Sequence, residues 1–266
     1  YMKKFWFILT ALVATCFLVA CSGSQGVSPK TIKEKKKIVV ATESEFAPFE
    51  FKSLVNGKDT LVGADIELAK AIGEKLGVKV EFSVMSFDNV LANVQSGKAD
   101  IAIAGISVTD ERKKVYDFSD SYYTSENVVI VKKDKVNDYT STDSLAKQTV
   151  GTQKGSVQET VAKKQIPKAS VVSLSSNGEM INELKSGQLQ AVVLEKAIAE
   201  GYIAQNDDLT LANFNLKSDG TDAYAVATRK GSDDLLKEIN AVIKETKDSG
   251  KFDQWLKEAS TYKQSK

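Results

Sequence analysis

The sequence predicts an α/β protein built as two lobes. Short runs of β-branched residues alternate along the chain with helical patterns, in which apolar residues recur every three or four positions. The chain has 266 residues, which exceeds one average domain of about 150 residues. Hydrophobic residues make up 42% and charged residues 27%, a globular composition that argues against disorder or a polytopic membrane protein.

The predicted strands are short and apolar, and helices lie between most of them. The first strand, Ile38–Thr42, is followed by a helical stripe from Ile66 to Leu76 and by a strand over Val78–Val84. The further expected strands are 101–104, 128–131, 150–152, 171–174, 191–194 and 223–228. The last part, Leu235–Trp255, has the pattern of two helices separated at Ser249-Gly250.

Two segments at an offset of ninety residues share one plan. Residues 93–104 and 183–194 each contain a helix end, a Ser-Gly pair and a buried strand. The Ser-Gly pair recurs often by chance because glycine suits the left-handed turn after a helix, but the matching helix and strand favour two related lobes. Ligands of open α/β sheets bind beyond the carboxyl ends of strands, here Gly105–Ser107 in one lobe and Glu195 in the other.

The residue inventory excludes several classes of function. The chain has no histidine, which excludes Ser-His-Asp and Cys-His catalysis and imidazole-ligated zinc. Its formal net charge of +1 gives no strong field for nucleic acid. The 36 basic residues include two arginines, Arg112 and Arg229. We expect no catalytic residue, no metal and no cofactor.

The first twenty residues have the pattern of a lipoprotein signal peptide. A basic start precedes the apolar run Phe5–Val19, which is short for a hydrocarbon core about 30 Å thick. Leu18-Val19-Ala20-Cys21 resembles the lipobox of bacterial lipoproteins. We therefore expect residues 1–20 to be removed, Cys21 to be lipidated and residues 21–36 to form a flexible tether. The alternative is a buried helix with an incidental cysteine.

One polar loop carries the donors that a carboxylate ligand needs. Gly105–Arg112 runs from a strand end into a helix start, where Thr109 is the expected N-cap. Loop amides, hydroxyl groups and the guanidinium of Arg112 would meet there, and a guanidinium makes two parallel hydrogen bonds with a carboxylate. The alternative is a capped helix whose Arg112 pairs with Asp110 or Asp117 on the surface.

The second lobe offers a similar turn and a carboxylate. Gly151–Ser156 lies between a strand and a helix that begins at Val157, so its amides can serve the same anion. Glu195 follows a buried strand and either receives an ammonium group or caps a helix. Three aromatic residues at loop positions either wall a pocket or pack in the core: Phe46, Phe49 and Phe87.

Six segments together resemble one known family: residues 41–51, 63–69, 85–88, 104–112, 117–123 and 151–159. This region is similar to the bacterial extracellular solute-binding proteins, family 3, of polar amino-acid ABC transporters, and the resemblance covers about residues 37–257. It implies a two-lobed, type II periplasmic-binding-protein-like fold, with a mixed sheet flanked by helices in each lobe and two crossing hinge strands. The implied division is 37–123 plus 223–266 for lobe 1 and 124–222 for lobe 2.

The resemblance also implies a role for each cleft residue. The family pattern assigns the α-carboxylate of an amino acid to Gly105, Ser107 and Arg112 in lobe 1, and to the amides of Ser156 and Val157 in lobe 2.

The remaining roles concern the rest of the ligand. Phe46 and Phe87 would sandwich its carbon chain. Glu195 stands where the family usually places an aspartate on the α-ammonium group, and Glu43 and Gln153 would flank the side-chain end. A side-chain amide satisfies both of these last two groups, so glutamine or asparagine is expected first and arginine or lysine next.

The expected partners are a free polar L-amino acid, an ABC permease and, through the lipid anchor, the outer face of the cytoplasmic membrane. The protein is expected to be a monomer that is exported and binds no nucleic acid. Two alternatives stay open at this point. A cyclohexadienyl dehydratase shares the fold and the cleft, and a lipoprotein adhesin would use its surface rather than its cleft.

Overall fold

The computed structural model describes residues 25–265. The expected signal peptide, residues 1–20, and the expected lipidation site, Cys21, lie outside the described residues. Along the described part the strands are β1 (Lys37–Thr42), β2 (Glu45–Phe46), β3 (Glu50–Val55), β4 (Lys58–Val62), β5 (Lys79–Val84), β6 (Ile101–Ala102), β7 (Tyr116–Phe118), β8 (Tyr123–Thr124), β9 (Asn127–Lys132), β10 (Thr149–Gln153), β11 (Ser170–Leu174), β12 (Ala191–Glu195), β13 (Leu209–Leu211), β14 (Ala223–Tyr224) and β15 (Ala227–Arg229).

The helices lie between and after these strands. They are α1 (Pro29–Lys35), α2 (Ala64–Leu76), α3 (Phe87–Gln95), α4 (Asp110–Lys113), α5 (Val157–Gln165), α6 (Asn177–Ser186), α7 (Lys196–Ala204), α8 (Asp233–Asp248) and α9 (Lys251–Ala259). Two short 3-10 helices, Lys133–Lys135 and Thr142–Leu145, precede β10. The break between α8 and α9 falls at Ser249-Gly250, as the sequence predicts, and Gly250 adopts a left-handed conformation with φ of 69°.

Two five-stranded mixed sheets form the two lobes and confirm the predicted fold class. Their strand orders are β5-β1-β6-β15-β7 and β11-β10-β12-β9-β13. In both sheets the first three strands are parallel and the last two pairings are antiparallel. The strands β6 and β12 end the two repeated segments and occupy equivalent places. The internal similarity in the sequence therefore corresponds to one topology used twice.

Two crossing strands join the lobes. β8 and β14 pair antiparallel, with Tyr123 opposite Tyr224. Each leads directly into the antiparallel fourth strand of the lobe it enters, β9 or β15. The run 223–228, expected as one strand, is divided here because its first part pairs in the hinge and its second part pairs in the lobe 1 sheet.

A three-stranded sheet, β2-β3-β4, is a feature that the sequence reading did not assign. Its β3–β4 turn is Asn56-Gly57, with φ values of 51° and 74°. An Asn-Gly pair between two strands is the usual signal of a tight hairpin. The sheet places Phe46 on a short strand rather than in a loop.

The structure corrects the expectation of a flexible tether over residues 28–36. Ser28 and Thr31 form a capping box, and Pro29 occupies the first turn of α1. Two apolar side chains of the expected tether, Val27 just before this segment and Ile32 within it, are buried in the core. The expectation was wrong because two well-placed apolar residues are sufficient to dock a short helix when polar contacts assist them.

Those polar contacts come from lobe 1. The Val27 amide donates to Ser232 Oγ at 2.8 Å, and Arg229 Nε donates to the Gln25 carbonyl at 3.2 Å. The Arg229 guanidinium also donates to the Val94 and Ala99 carbonyls. The second arginine of the chain thus joins the N-terminal segment to the lobe 1 sheet.

Replacing Ile32 with Ala tests this docking. The change removes a fully buried side chain, so the free energy of unfolding should fall by about 2 kcal/mol or more. Urea unfolding measures the change, and Lys33→Ala, at an exposed position of the same helix, is the matched control. Equal stabilities of the two variants would mean that α1 contributes no docking energy.

Candidate functional site

Side chains from both lobes meet at the carboxyl ends of parallel strands. Glu43 follows β1, Gln153 ends β10 and Glu195 ends β12. Parallel strands of one sheet end at the same edge, and the hinge turns these two edges toward each other. The candidate ligand site is therefore an interlobe cleft.

Glu43 and Gln153 touch across this cleft. The amide nitrogen of Gln153 lies 3.1 Å from both carboxylate oxygens of Glu43. Both residues are only 3% exposed. Burial raises the pKa of Glu43 to about 8, although the hydrogen bond from Gln153 opposes this rise. The pair closes one end of the cleft.

Glu195 lies in the same cleft, close to Arg112. Its Oε1 accepts a hydrogen bond of 2.7 Å from Gln158 Nε2, which also donates to Asn127 Oδ1. Burial raises the pKa of Glu195 to about 7, and the positive charge of Arg112 acts against this rise. Glu195 occupies the N-cap position of α7 without a side-chain cap bond. Its carboxylate is thus directed to the cleft rather than to the helix.

Arg112 lies at the cleft and not in a surface ion pair. The helix α4 is one turn long and is capped by Thr109, as predicted. The guanidinium donates from Nη1 to the Ser107 carbonyl at 2.8 Å, and from Nη2 to the Gly155 carbonyl of lobe 2 at 3.1 Å. The two surface partners considered from the sequence are engaged elsewhere: Asp110 pairs with Lys113, and Asp117 pairs with Lys230.

The loop before α4 packs on an aromatic wall. Gly105 has φ of 54°, and a Cβ atom there would lie 2.5 Å from the Phe46 ring. Phe87 begins α3, and its ring centroid lies 5.9 Å from the guanidinium carbon of Arg112. Phe49 is fully buried and packs edge-on against Tyr123. Phe46 and Phe87 therefore border the carboxylate loop, and all three rings are also buried in the core.

The lobe 2 turn presents the start of a helix to the same place. Ser156 is the N-cap residue of α5, and its hydroxyl donates to the Gln153 carbonyl at 2.6 Å. Its side chain makes no cap bond to the first turn. The Ser156 amide, predicted to serve the ligand carboxylate, donates instead to the Gln153 carbonyl at 3.2 Å. The Val157 amide lies next to it and to Gly155, whose carbonyl Arg112 contacts. The groups predicted for a carboxylate thus come from both lobes.

A buried carboxyl pair supports the carboxylate loop from behind. Asp65 Oδ2 accepts from the Gly105 amide at 3.1 Å and from the Tyr122 hydroxyl at 2.8 Å. Burial raises the pKa of Asp65 to about 6, and burial beside Asp65 raises the pKa of Glu50 well above its usual value. Because Tyr122 precedes the hinge strand β8, this pair connects the hinge with the loop. The Gly105 amide is therefore engaged by Asp65, and the prediction that it serves the ligand carboxylate was wrong on this point. The sequence analysis assigned no role to Asp65 or Glu50.

These elements define a ligand-binding cleft between two lobes, and comparisons with known proteins agree. Residues 38–259 match the bacterial extracellular solute-binding proteins, family 3. The chain belongs to this family, as the resemblance in the sequence predicted. Across residues 25–265, none of the helices combines the length and the apolar composition that a membrane crossing requires.

Relatives cover nearly the whole chain. The arginine-binding extracellular protein ArtP of Bacillus subtilis is 34% identical over 261 residues, which are 96% of this chain and 97% of that protein. The ABC transporter glutamine-binding protein GlnH of the same organism is 32% identical over 277 residues, with 97% and 98% covered. These names are those of transport proteins, and the chain is a solute-binding protein rather than an enzyme.

A solved structure is also close. The amino-acid ABC transporter substrate-binding protein AbpA of Streptococcus pneumoniae, bound to L-arginine, superposes with a TM-score of 0.85 at 50% identity. The match covers 87% of this chain and 98% of that one.

Replacing Arg112 with Lys tests its assignment to a carboxylate ligand. Lysine keeps the charge but loses the two parallel donors, so amino-acid affinity should fall by roughly 2 kcal/mol. Titration calorimetry measures the change, with Lys113→Ala on the same helix as the control. Unchanged affinity in a correctly folded variant would show that Arg112 does not bind the ligand carboxylate.

Proposed function

We propose that the protein binds a free cationic amino acid, L-arginine first, between its lobes and delivers it to an ABC permease. The observation that carries this proposal is the buried carboxylate of Glu43. Within residues 25–265 no lysine or arginine forms an ion pair with it. A buried carboxylate without a counter-charge is costly. A ligand guanidinium would supply the missing positive charge.

The other end of the cleft suits the α-groups of an amino acid. Arg112, Ser107 and the Val157 amide would hold the α-carboxylate, and Glu195 would accept the α-ammonium group. Phe46 and Phe87 would border the carbon chain between these ends. The two carboxylates and one guanidinium are thus complementary to a ligand with two positive groups and one negative group.

The relatives support arginine over the glutamine that the sequence reading placed first. AbpA, at 50% identity, is described as bound to L-arginine, and ArtP is named for arginine. Glutamine remains the second candidate because GlnH is named for it and because Gln153 can pair with a side-chain amide. A glutamate side chain would face Glu43 and be repelled.

The proposal also covers where the protein is located and how the chain divides into two lobes. Residues 1–20 would direct export, and Cys21 would carry the lipid that holds the monomer on the outer face of the cytoplasmic membrane. Lobe 1 would comprise residues 37–123 and 223–266, and lobe 2 residues 124–222. The hinge pair β8–β14 supports this division because the lobe boundaries fall beside it.

Replacing Glu43 with Gln tests the ligand class. The variant keeps a hydrogen-bonding side chain opposite Gln153 but removes the charge, so arginine affinity should fall about 100-fold, whereas glutamine affinity should change much less. Competition calorimetry at neutral pH measures both ligands. Glu81→Gln, at a solvent-exposed side chain of lobe 1, is the control. Equal losses for arginine and glutamine would contradict the role given to Glu43.

Replacing Cys21 with Ala tests the anchor. Without the sulfur no diacylglycerol can be attached, so the protein should appear in the medium or remain as an unprocessed precursor. Membrane fractionation and metabolic labelling with a fatty acid report the outcome. A Cys16→Ala variant should behave as the wild type. Lipid labelling that persists in the Cys21 variant would show that the predicted lipidation of Cys21 is wrong.

A further inference from the structure

A second interlobe contact lies beside the cleft and uses a residue without a ligand-binding role. Glu45, on β2 of lobe 1, points its carboxylate at the start of α6 in lobe 2. Its Oε2 accepts from Ser176 Oγ at 2.7 Å and from the Gly178 amide at 3.0 Å. The first amides of a helix lack partners within the helix, and a negative charge is favoured there. A carboxylate of one lobe thus accepts hydrogen bonds from the N-terminal turn of a helix in the other lobe.

The same residue is bonded to lobe 2 a second time. Its carbonyl oxygen accepts from the Tyr202 hydroxyl of α7 at 3.2 Å. Tyr202 is buried, and its hydroxyl also accepts from Gln264 Nε2 at 3.4 Å. Ser176 in turn caps α6 by accepting from the Glu179 amide at 3.1 Å. Glu45 therefore joins two helices of lobe 2 to one short strand of lobe 1.

Another contact between the lobes, the ion pair of Asp88 with Lys154, is weaker than the contact at Glu45. Lys154 Nζ lies 3.1 Å from Asp88 Oδ2, and the lysine side chain is 57% exposed. Exposed ion pairs contribute little, typically below about 1 kcal/mol. Hydrogen bonds from neutral donors to a half-buried carboxylate are stronger. The hydrogen bonds of Glu45 are therefore expected to stabilise the closed lobes more than this ion pair does.

We propose that Glu45 is a positioning residue that latches the closed lobes and slows the release of every ligand, without selecting among ligands of equal charge. The latch forms only when the lobes meet, so it acts after the ligand has entered. Dissociation rates should respond, whereas association rates should not. The inference rests on the proposed binding of cationic amino acids in the cleft.

The test compares Glu45→Ala with Glu45→Gln. Alanine removes both acceptor contacts, whereas the amide oxygen of glutamine still accepts from Ser176 and Gly178 at the cost of the charge. Stopped-flow measurements with arginine and lysine should show dissociation about ten-fold faster in Glu45→Ala. Glu45→Gln should release both ligands at a rate close to that of the wild type. The arginine-to-lysine affinity ratio should be the same in all variants. Glu74→Ala, at an exposed position of α2, is the control.

Three results would overturn the latch. Dissociation within two-fold of the wild type in Glu45→Ala would show that the contact does not hold the lobes. A change confined to association would indicate steering by charge, and an altered arginine-to-lysine ratio would indicate direct ligand contact.

Hydrogen exchange separates failure of the latch from failure of the proposed function. With an amino acid bound, the Gly178 amide should exchange faster in Glu45→Ala than in the wild type or Glu74→Ala. Unchanged exchange contradicts the latch. A wild-type chain that binds neither arginine nor lysine contradicts the proposed ligand, and the same exchange comparison with the amino acid that does bind still decides whether the latch exists.

Discussion

The Glu43 carboxylate is the group around which the closed cleft is organised. It is buried at the meeting of two lobes, and its hydrogen bonds come from Gln153 of the other lobe. Burial, with smaller contributions from the negative charges of Glu45 and Glu195, disfavours the ionised form and raises the pKa of Glu43 to about 8. A positive ligand group placed against it would relieve that cost only while the lobes are closed. Ligand charge and lobe closure are thereby coupled through one side chain.

The duplicated topology makes this geometry available. Each lobe directs the carboxyl ends of its parallel strands to the cleft, and the hinge strands hold the two edges face to face. The groups that would grip the α-carboxylate are supported from behind by Asp65, which also binds Tyr122 next to the hinge. The Gly105 amide, Asp65 and the hinge residue Tyr122 therefore share one buried polar network, in which displacement of one member disturbs the others.

The sequence was sufficient for the fold class and for the residues at strand ends, because strand and helix periodicities are local and Arg112 follows a recognisable loop. It was not sufficient for α1, where Val27 and Ile32 are buried through contacts with residues two hundred positions away. Glu45 and Asp65 were missed for the same reason, since their partners come from other elements and lobes. The lack of a basic side chain paired with Glu43 within residues 25–265 was also beyond it, because this is a property of the assembled cleft.

The most direct test of the account compares L-arginine with L-citrulline, which has nearly the same shape but carries a neutral urea group in place of the guanidinium. If the buried carboxylate selects a positive charge, calorimetry at neutral pH should show arginine binding at least about 100-fold more tightly, or roughly 3 kcal/mol. Citrulline binding as tightly as arginine would mean that Glu43 recognises hydrogen-bonding shape alone, and it would contradict the account.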